Sequence, residues 1–345
     1  MRTETFTPSQ SSLPSLARIC LTPTRNESWI IDRFLAAARS WADHVIVADQ
    51  GSTDGTLATL HAEAGVEVVT NDSPGYDESY RQRLLLNQAR RIPGKRILLG
   101  LDADEALSAN CKDSPEWEKI AAAAPGTVLR FRWVNVLPGF KEAWIPPELS
   151  AFGFVDDGSP HAGSLIHSPR VPNPPGAPTL DLQDIVVLHF QYVAWERMAS
   201  KQRWYQAWEF TQRRAAGPLD IFRRYHHMHG SWAQEEIHPL RPEWLARYDR
   251  AGIDFRSLAC EPVTWWDREL VQMLRTHGPR HFRRVAIWNQ NWNDVARRLG
   301  CAGVTLDDPR SALEKIIHRL LASTQHRRSA WSVRGLERLL RVTGW

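Results

Sequence analysis

Asp102-Ala103-Asp104-Glu105 places three carboxylates within four residues, directly after the apolar run Ile97-Leu98-Leu99-Gly100-Leu101. Side chains two apart on an extended strand face one side, so Asp102 and Asp104 can share a hard divalent cation, Mg²⁺ or Mn²⁺. Carboxylates that close repel one another unless a cation or protons neutralise them. The competing reading is a helix start, with Asp104 as the N-cap of a helix from about Ala106 and Glu105 favoured by its dipole. Further on, Asp184-Ile185-Val186-Val187-Leu188-His189-Phe190 is an apolar strand-like run that delivers a histidine. Such a histidine completes a carboxylate metal shell or sits hydrogen-bonded in the core. Between them, Phe152-Gly153-Phe154-Val155-Asp156-Asp157-Gly158 holds two adjacent acids, whose repulsion can raise one pKa towards that of a general base; the plainer reading is an Asp-Gly turn.

The elements that must carry these groups alternate along residues 18 to 101. Strands are expected over Arg18 to Thr22, His44 to Ala48, Val66 to Thr70 and Arg96 to Leu101, and helices over Trp29 to Ser40, Thr56 to Ala64 and Glu78 to Arg91. Short connections and this rhythm imply an α/β fold with a mostly parallel sheet flanked by helices. In such sheets ligands bind beyond the carboxyl ends of the strands. The polar runs fall at those ends: Thr22-Pro23-Thr24-Arg25-Asn26-Glu27, Asp49-Gln50-Gly51-Ser52-Thr53-Asp54-Gly55-Thr56, and the Asp102 cluster. Three polar strand ends meeting in one crevice favour a ligand site over three separate caps.

Pro23-Thr24-Arg25-Asn26-Glu27, Val47-Ala48-Asp49-Gln50-Gly51-Ser52-Thr53-Asp54-Gly55-Thr56 and Leu101-Asp102-Ala103-Asp104-Glu105, in this order and spacing, resemble the family 2 glycosyltransferases. The resemblance covers residues 18 to 107 and runs on more loosely to about residue 210. It implies a GT-A fold, a Rossmann-like mostly parallel sheet, and a nucleotide-sugar donor. It also implies site residues. Asp49 would contact the nucleoside, with Thr24, Asn26 and Glu27 lining the same pocket. Arg81, six residues before Asn87, resembles a donor-binding arginine of the family, and Arg83 is its close competitor. Asp102 would reach the ribose or the metal, Asp104 (the second acid of the DXD motif) would hold the metal, and His189 would complete its shell. Mn²⁺ or Mg²⁺ and an arginine suit a leaving nucleoside diphosphate, on which negative charge grows in the transition state. Lys201 and Arg203 would close over the diphosphate as a loop, or else lie on a helix face. Inverting transfer to a hydroxyl needs a base, for which Asp157, with Asp156 beside it, is the first choice and Glu142, Asp181 and Asp184 the alternatives. That segment departs from the family's usual Glu-Asp wording.

Composition agrees with an enzyme of this kind. A chain of 345 residues can bury a sizeable core, with residues 1–16 as a Ser, Thr and Pro rich tail, 17–195 as the nucleotide-sugar domain and 196–345 as a helical lobe. Four scattered cysteines fit neither a zinc pattern nor a disulfide framework, which suits a cytoplasmic protein. No run approaches the length of a membrane span. Charge is uneven, with 17 Lys+Arg against 23 Asp+Glu up to residue 195 and 26 against 16 beyond it. The basic half is rich in tryptophan. Its Trp265-Trp266 and Trp288 to Trp292 would stack on acceptor sugars or pack a helical core, and its arginines would meet an anionic glycolipid or the headgroups at the inner face of a membrane, or simply solvate the surface. His226-His227-Met228-His229 lacks carboxylate or cysteine partners at ligand spacing, which argues against a metal there. Nothing matches a nucleic-acid-binding motif.

The resemblance therefore implies a metal-dependent, inverting glycosyltransferase acting in surface polysaccharide or glycolipid assembly, on a glycan, glycolipid or protein acceptor. Two alternatives are a nucleotidyltransferase making a nucleotide sugar, which would need a glycine-rich loop where Pro23 to Glu27 stands, and a non-catalytic carbohydrate-binding protein, which would be expected to lose Asp49, Asp102 and Asp104.

Overall fold

Strongly apolar, β-branched segments separated by amphipathic helices build the first part of the chain. In the computed structural model, which describes residues 16–212, 216–225, 232–301, 303 and 305–345, β1 (Leu16–Thr24), α1 (Ile31–Ala38), β2 (His44–Asp49), α2 (Thr56–Ala62), β3 (Val66–Thr70), α3 (Glu78–Ala89) and β4 (Lys95–Gly100) alternate as expected. There follow β5 (Glu105–Leu107), α4 (Glu116–Ala122), β6 (Val128–Phe131), β7 (Trp133–Val136), β8 (Glu142–Trp144), β9 (Ser150–Val155), β10 (Thr179–Asp181) and β11 (Val187–His189). The remainder is α5 (Trp195–Gln212), α6 (Pro218–Arg224), β12 (Ile237–Pro239), α7 (Ala246–Arg250), α8 (Trp265–His277), α9 (Trp292–Arg298), α10 (Ala312–Ser323) and α11 (Trp331–Val342). The tail up to residue 15 and the histidine run 226–229 lie outside the described residues.

Two compact units divide the chain, but not at one cut near residue 195. The first comprises residues up to Val134, Pro146–His189 and Arg241–Phe255; the second comprises Asn135–Ile145, Phe190–Leu240 and Arg256–Trp345. Long-range pairing causes the exchange. The Asn135–Trp144 hairpin pairs β8 with β12, which draws it into the second unit. The Tyr248 hydroxyl of α7 donates to the Leu107 carbonyl at 2.7 Å, which ties that segment to the first.

In the first unit a seven-stranded sheet has the order β10-β6-β9-β4-β1-β2-β3. Strands β4, β1, β2 and β3 run parallel, β9 is antiparallel to both neighbours, and β10 is parallel to β6. The expected α/β class, a mostly parallel sheet with flanking helices, is what forms. Ile19, Leu21, Ile46, Ala48 and Leu98 make an apolar sheet face, on which α3 lays Leu85, Leu86 and Ala89. The register brings Thr24, Asp49 and Thr70 level at the carboxyl edge. Gly100 pairs with Leu21, so the chain leaves β4 beside Thr22 and Pro23.

The second unit is mainly helical. Helices α8 and α10 start on reciprocal capping boxes, Thr264 with Asp267 and Ser311 with Glu314. Trp288 and Trp292 are buried with Leu270, Val271, Leu274 and Phe282, their indole N–H groups donating to the carbonyls of Phe282 and Ile287 at 2.9 Å. Trp266 is buried too, so these three rings are core rather than a sugar-stacking surface. No helix among the described residues is long and apolar enough to cross a membrane.

His318, inside this unit, is held neutral. Its Nδ1 lies 3.0 Å from Arg310 Nη1, a donor that needs an acceptor, and its Nε2 lies 3.2 Å from the Arg284 carbonyl. Burial lowers its pKa from 6.5 to about 4. The unfolded chain protonates this group at the higher value and the folded chain only at the lower. Stability is therefore expected to fall by up to about 3 kcal/mol as pH drops through that window. Urea midpoints at neutral and mildly acid pH check this, with His318→Gln flattening the pH slope.

Candidate active site

The end of β4 determines where the carboxylates go. Gly100 suits a close crossing by Arg170, since an added Cβ would lie 3.0 Å from Arg170 Cβ and 3.1 Å from its carbonyl oxygen, tight enough that Arg170 would have to shift. Past Gly100 the chain makes a tight turn rather than an extended strand. Glu105 N–H donates to the Asp102 carbonyl and Asp102 N–H donates to Glu105 Oε2, both at 2.9 Å. Glu105–Leu107 is then a strand, so the competing reading of a helix capped by Asp104 does not hold. That strand, β5, pairs antiparallel with β11 in a register that sets His189 opposite Glu105. As a result His189 Nε2 comes 3.6 Å from Asp104 Oδ2. Both residues are nearly buried, at 3% and 8% exposure. The Trp133 ring stacks on the imidazole at 4.9 Å and donates its N–H to Glu105 Oε1 at 3.0 Å.

Arg170 is the group that sequence spacing did not reveal. Its guanidinium grips Glu105 with two hydrogen bonds and reaches Asp102 Oδ2 at 3.0 Å, over the face of Phe152. It lies 65 residues beyond Glu105, so only the fold reveals the pairing. Burial pushes Glu105 upward, to about 8, with Arg170 opposing and the Asp102 and Asp104 carboxylates adding to the rise. The charges of Asp102 and Asp104 raise Arg170, against the burial that lowers it. The cluster thus holds three acids around one half-buried arginine.

Two ligands of one cation, each at about 2.1 Å, stand up to about 4 Å apart, so the Asp104 and His189 pair has the spacing of co-ligands. Among the described residues no three His, Cys, Asp or Glu side chains form a ready-made cage. Asp102 faces Arg170 instead of completing one. Sites for Mg²⁺-type ions commonly use one or two carboxylates and take their other ligands from substrate phosphates and water, so the residues fit a cation that arrives with a diphosphate.

Sequence comparison points to glycosyltransferases. Uncharacterized glycosyltransferases of Rickettsia conorii and Rickettsia felis are 33% and 32% identical to this chain over 96 residues, a stretch covering 27% of it and 31% of each relative. The matched stretch is thus about a third of the length of those curated relatives. No protein-family model matches the chain. Among solved structures, a mannosyltransferase from Pyrobaculum calidifontis in complex with GDP-Man and Mn²⁺ is similar at 13% identity and a TM-score of 0.38, covering 93% of this chain and 88% of that one.

The other expected residues divide by edge of the sheet. Asp49 and Thr24 sit side by side at the carboxyl edge, where Asp49 accepts from Thr24 Oγ1 at 3.0 Å, Ser52 Oγ at 2.5 Å and Ser52 N–H at 3.0 Å. Two strands away, about 10 Å, stands the Asp102 turn. Asn26 takes a left-handed conformation (φ 57°), one that asparagine tolerates, and its Oδ1 accepts from Thr53 N–H at 2.7 Å. Its own N–H donates to Ser52 Oγ at 2.8 Å, so the two loops are stitched together. Glu27 Oε2 accepts from the Trp29 indole at 2.7 Å. Arg81, in the first turn of α3, lies over the Tyr76 ring and 3.6 Å from Glu78, which also accepts from Ser168 N–H in the segment leading to Arg170. Arg83 is exposed and donates to Ser79.

Asp156 and Asp157 are not where a base is needed. They follow β9, which runs antiparallel to β4, so they emerge at the amino edge beside Arg96, about 20 Å along the strand from Asp102. The Asp156 side chain is fully buried between Arg90 (2.9 Å) and Arg96 (2.9 Å). Burial alone would raise its pKa, but the two arginines outweigh that and hold it low, the opposite of a general base. Asp157 caps a turn, accepting from Ser159 N–H at 2.8 Å. Of the alternatives, Asp181 is gripped by Arg130 at 2.6 and 2.7 Å, Asp184 accepts from Asn110 at 3.0 Å, and Glu142 lies in the second unit. Lys201 and Arg203 also belong to the second unit, inside α5 rather than on a loop. Lys201 stands over Trp266, and Arg203 is buried against Trp292.

Proposed function

We propose that this chain is a glycosyltransferase of GT-A arrangement that moves a sugar, with inversion, from a nucleoside-diphosphate sugar to an acceptor hydroxyl, using Mn²⁺ or Mg²⁺. The observation that carries the reading is the Asp104 and His189 pair, 3.6 Å apart in a carboxylate-rich turn at the carboxyl edge of the sheet. The similarity to glycosyltransferases over 96 residues and the family resemblance of the three polar strand ends support it. In this reading Asp49, held rigid by three internal hydrogen bonds, keeps acceptor capacity for a base N–H. Thr24, Asn26 and Glu27 shape the floor of that pocket. Asp104 and His189 hold the cation, with Asp102 turning from Arg170 to the ribose or the metal. The bound cation supplies charge stabilisation for the departing diphosphate, which Arg81 shares. Arg170 keeps the acids from repelling one another when no substrate is present.

Melting curves with UDP, GDP, CDP and dTDP, each with and without Mn²⁺, test this. One nucleotide is expected to raise the melting temperature by several degrees only when Mn²⁺ is present, because ligand at a hundredfold its dissociation constant adds about 2.7 kcal/mol. No shift with any nucleotide overturns the donor site.

A further inference from the structure

The second unit presents an apolar stripe that its own core does not use. Helix α11 turns Val333 and Leu340 inward, Leu340 joining Leu219, Phe222, Leu321 and Trp345. Its opposite face shows Trp331, Leu339 and Val342 at 83%, 63% and 86% exposure. With Gly335 between them these positions recur at i, i+4, i+8 and i+11, one line along a helix. Arg334 and Arg338, both exposed, flank that line by helical position. Helix α10 has a second stripe, Leu313, Ile316 and Leu320, exposed while Ile317 and Leu321 are buried.

The charges around these stripes are mostly positive. Residues 311–345 hold seven Lys+Arg and two Glu. Both acids turn towards arginines at the base of the helices: Glu337 accepts from Arg223 at 2.8 Å, and Glu314 lies 3.1 Å from Arg283. Arg341 is paired with Asp220 at 2.7 Å, while Arg334 and Arg338 border the apolar stripe. Beside α10 a cavity of about 280 Å³ is lined by Phe222, Trp288, Arg310, Lys315 and Arg319, a mixed apolar and cationic lining. Arg310 and Lys315 share Asp308, which leaves the lining net positive.

We infer that the outer face of α11, continued by α10, docks the protein onto an anionic lipid bilayer. A tryptophan and aliphatic residues on one face, bordered by arginines, is the composition of a helix that lies in the plane of a membrane surface. Charge complementarity selects the anionic bilayer over a neutral one, each basic residue near such a surface adding about five-fold to partitioning. A protein partner or a second copy gains nothing from the basic border unless it is itself acidic, and this surface repels its own copy.

Flotation of the full chain with phosphatidylglycerol–phosphatidylcholine vesicles and with pure phosphatidylcholine vesicles, at low and high salt, is the test. Binding is expected to the anionic vesicles alone and to weaken as salt rises. Trp331→Ser with Leu339→Ser, both at exposed positions, should cut binding at least ten-fold, and Arg334→Gln with Arg338→Gln about twenty-five-fold, with melting temperature and nucleotide binding unchanged. Equal binding to both vesicle types, no binding to the anionic ones, or unaltered binding by the two double variants overturns the proposal. So does a concentration-dependent dimer, seen by light scattering, that the Trp331→Ser variant dissolves while vesicles are ignored. Nucleotide-dependent melting reports on the donor site separately, so either proposal can fail without the other.

Discussion

With Arg170 replaced by leucine, the first unit is expected to lose up to about 3–5 kcal/mol of stability at alkaline pH, the cost of leaving an ionised buried acid without its countercharge. Arg170 is the cation that neutralises Glu105 and Asp102 inside the fold, and no water can take its place at Glu105, which is 1% exposed. The loss should depend on pH in a definite direction. Burial already raises Glu105 to about 8, and removing the arginine removes the largest influence that lowers it, leaving the Asp102 N–H hydrogen bond. In the variant Glu105 stays protonated to a higher pH than in the parent, so the extra destabilisation grows as pH rises above about 8. Adding Glu105→Gln to Arg170→Leu should recover most of the loss, since an uncharged pair asks for no countercharge. Denaturant midpoints at mildly acid and alkaline pH measure both effects. A single variant as stable as the parent would mean that Arg170 does not carry the charge balance of the turn.

Asp104→Asn is expected to act on function instead. The nearly isosteric amide removes one charge from a crowded set of acids, so stability without ligand should hold or rise slightly as repulsion is relieved. Mn²⁺-dependent binding of the nucleoside diphosphate should disappear, and sugar transfer should fall by about 10³-fold, the several kcal/mol that a cation contributes to the developing charge. Isothermal titration with and without Mn²⁺ separates the two losses. Undiminished Mn²⁺-dependent binding would remove Asp104 from the cation site and leave the His189 contact as a structural one.

Legibility of the site differed with the length scale of the interaction. Asp49, Thr24 and Asn26 were readable because each follows an apolar strand directly, and parallel strands deliver their carboxyl ends to one edge. The Asp102 turn was readable as a cluster but not as a shape: a strand was expected to carry both acids on one side, and the hydrogen bonds between Asp102 and Glu105 curl it into a turn. Asp156 and Asp157 misled because adjacent acids in a glycine-bounded loop look alike at either edge of a sheet. The direction of β9, antiparallel to β4, is what sends them to the wrong edge, and Arg90 and Arg96 then lock Asp156 as a structural ion. For Lys201 and Arg203 the helix-face alternative is the one α5 realises, because the Trp195–Gln212 segment is a continuous helix.

Hydrophobic period and turn residues act over a few positions, so the α/β alternation from β1 to β4, the polar groups at its strand ends and the apolar periodicity of the later helices are local properties of the chain. Long-range pairing is what makes His189 meet Asp104, sets Arg170 against the acids, and assigns segments around 135–145 and 241–255 to their units. Those outcomes depend on which strands pair, in which direction and register, and on charges brought together from residues far apart in the chain. No local pattern encodes them, because their energies come from contacts that exist only once the sheet has closed.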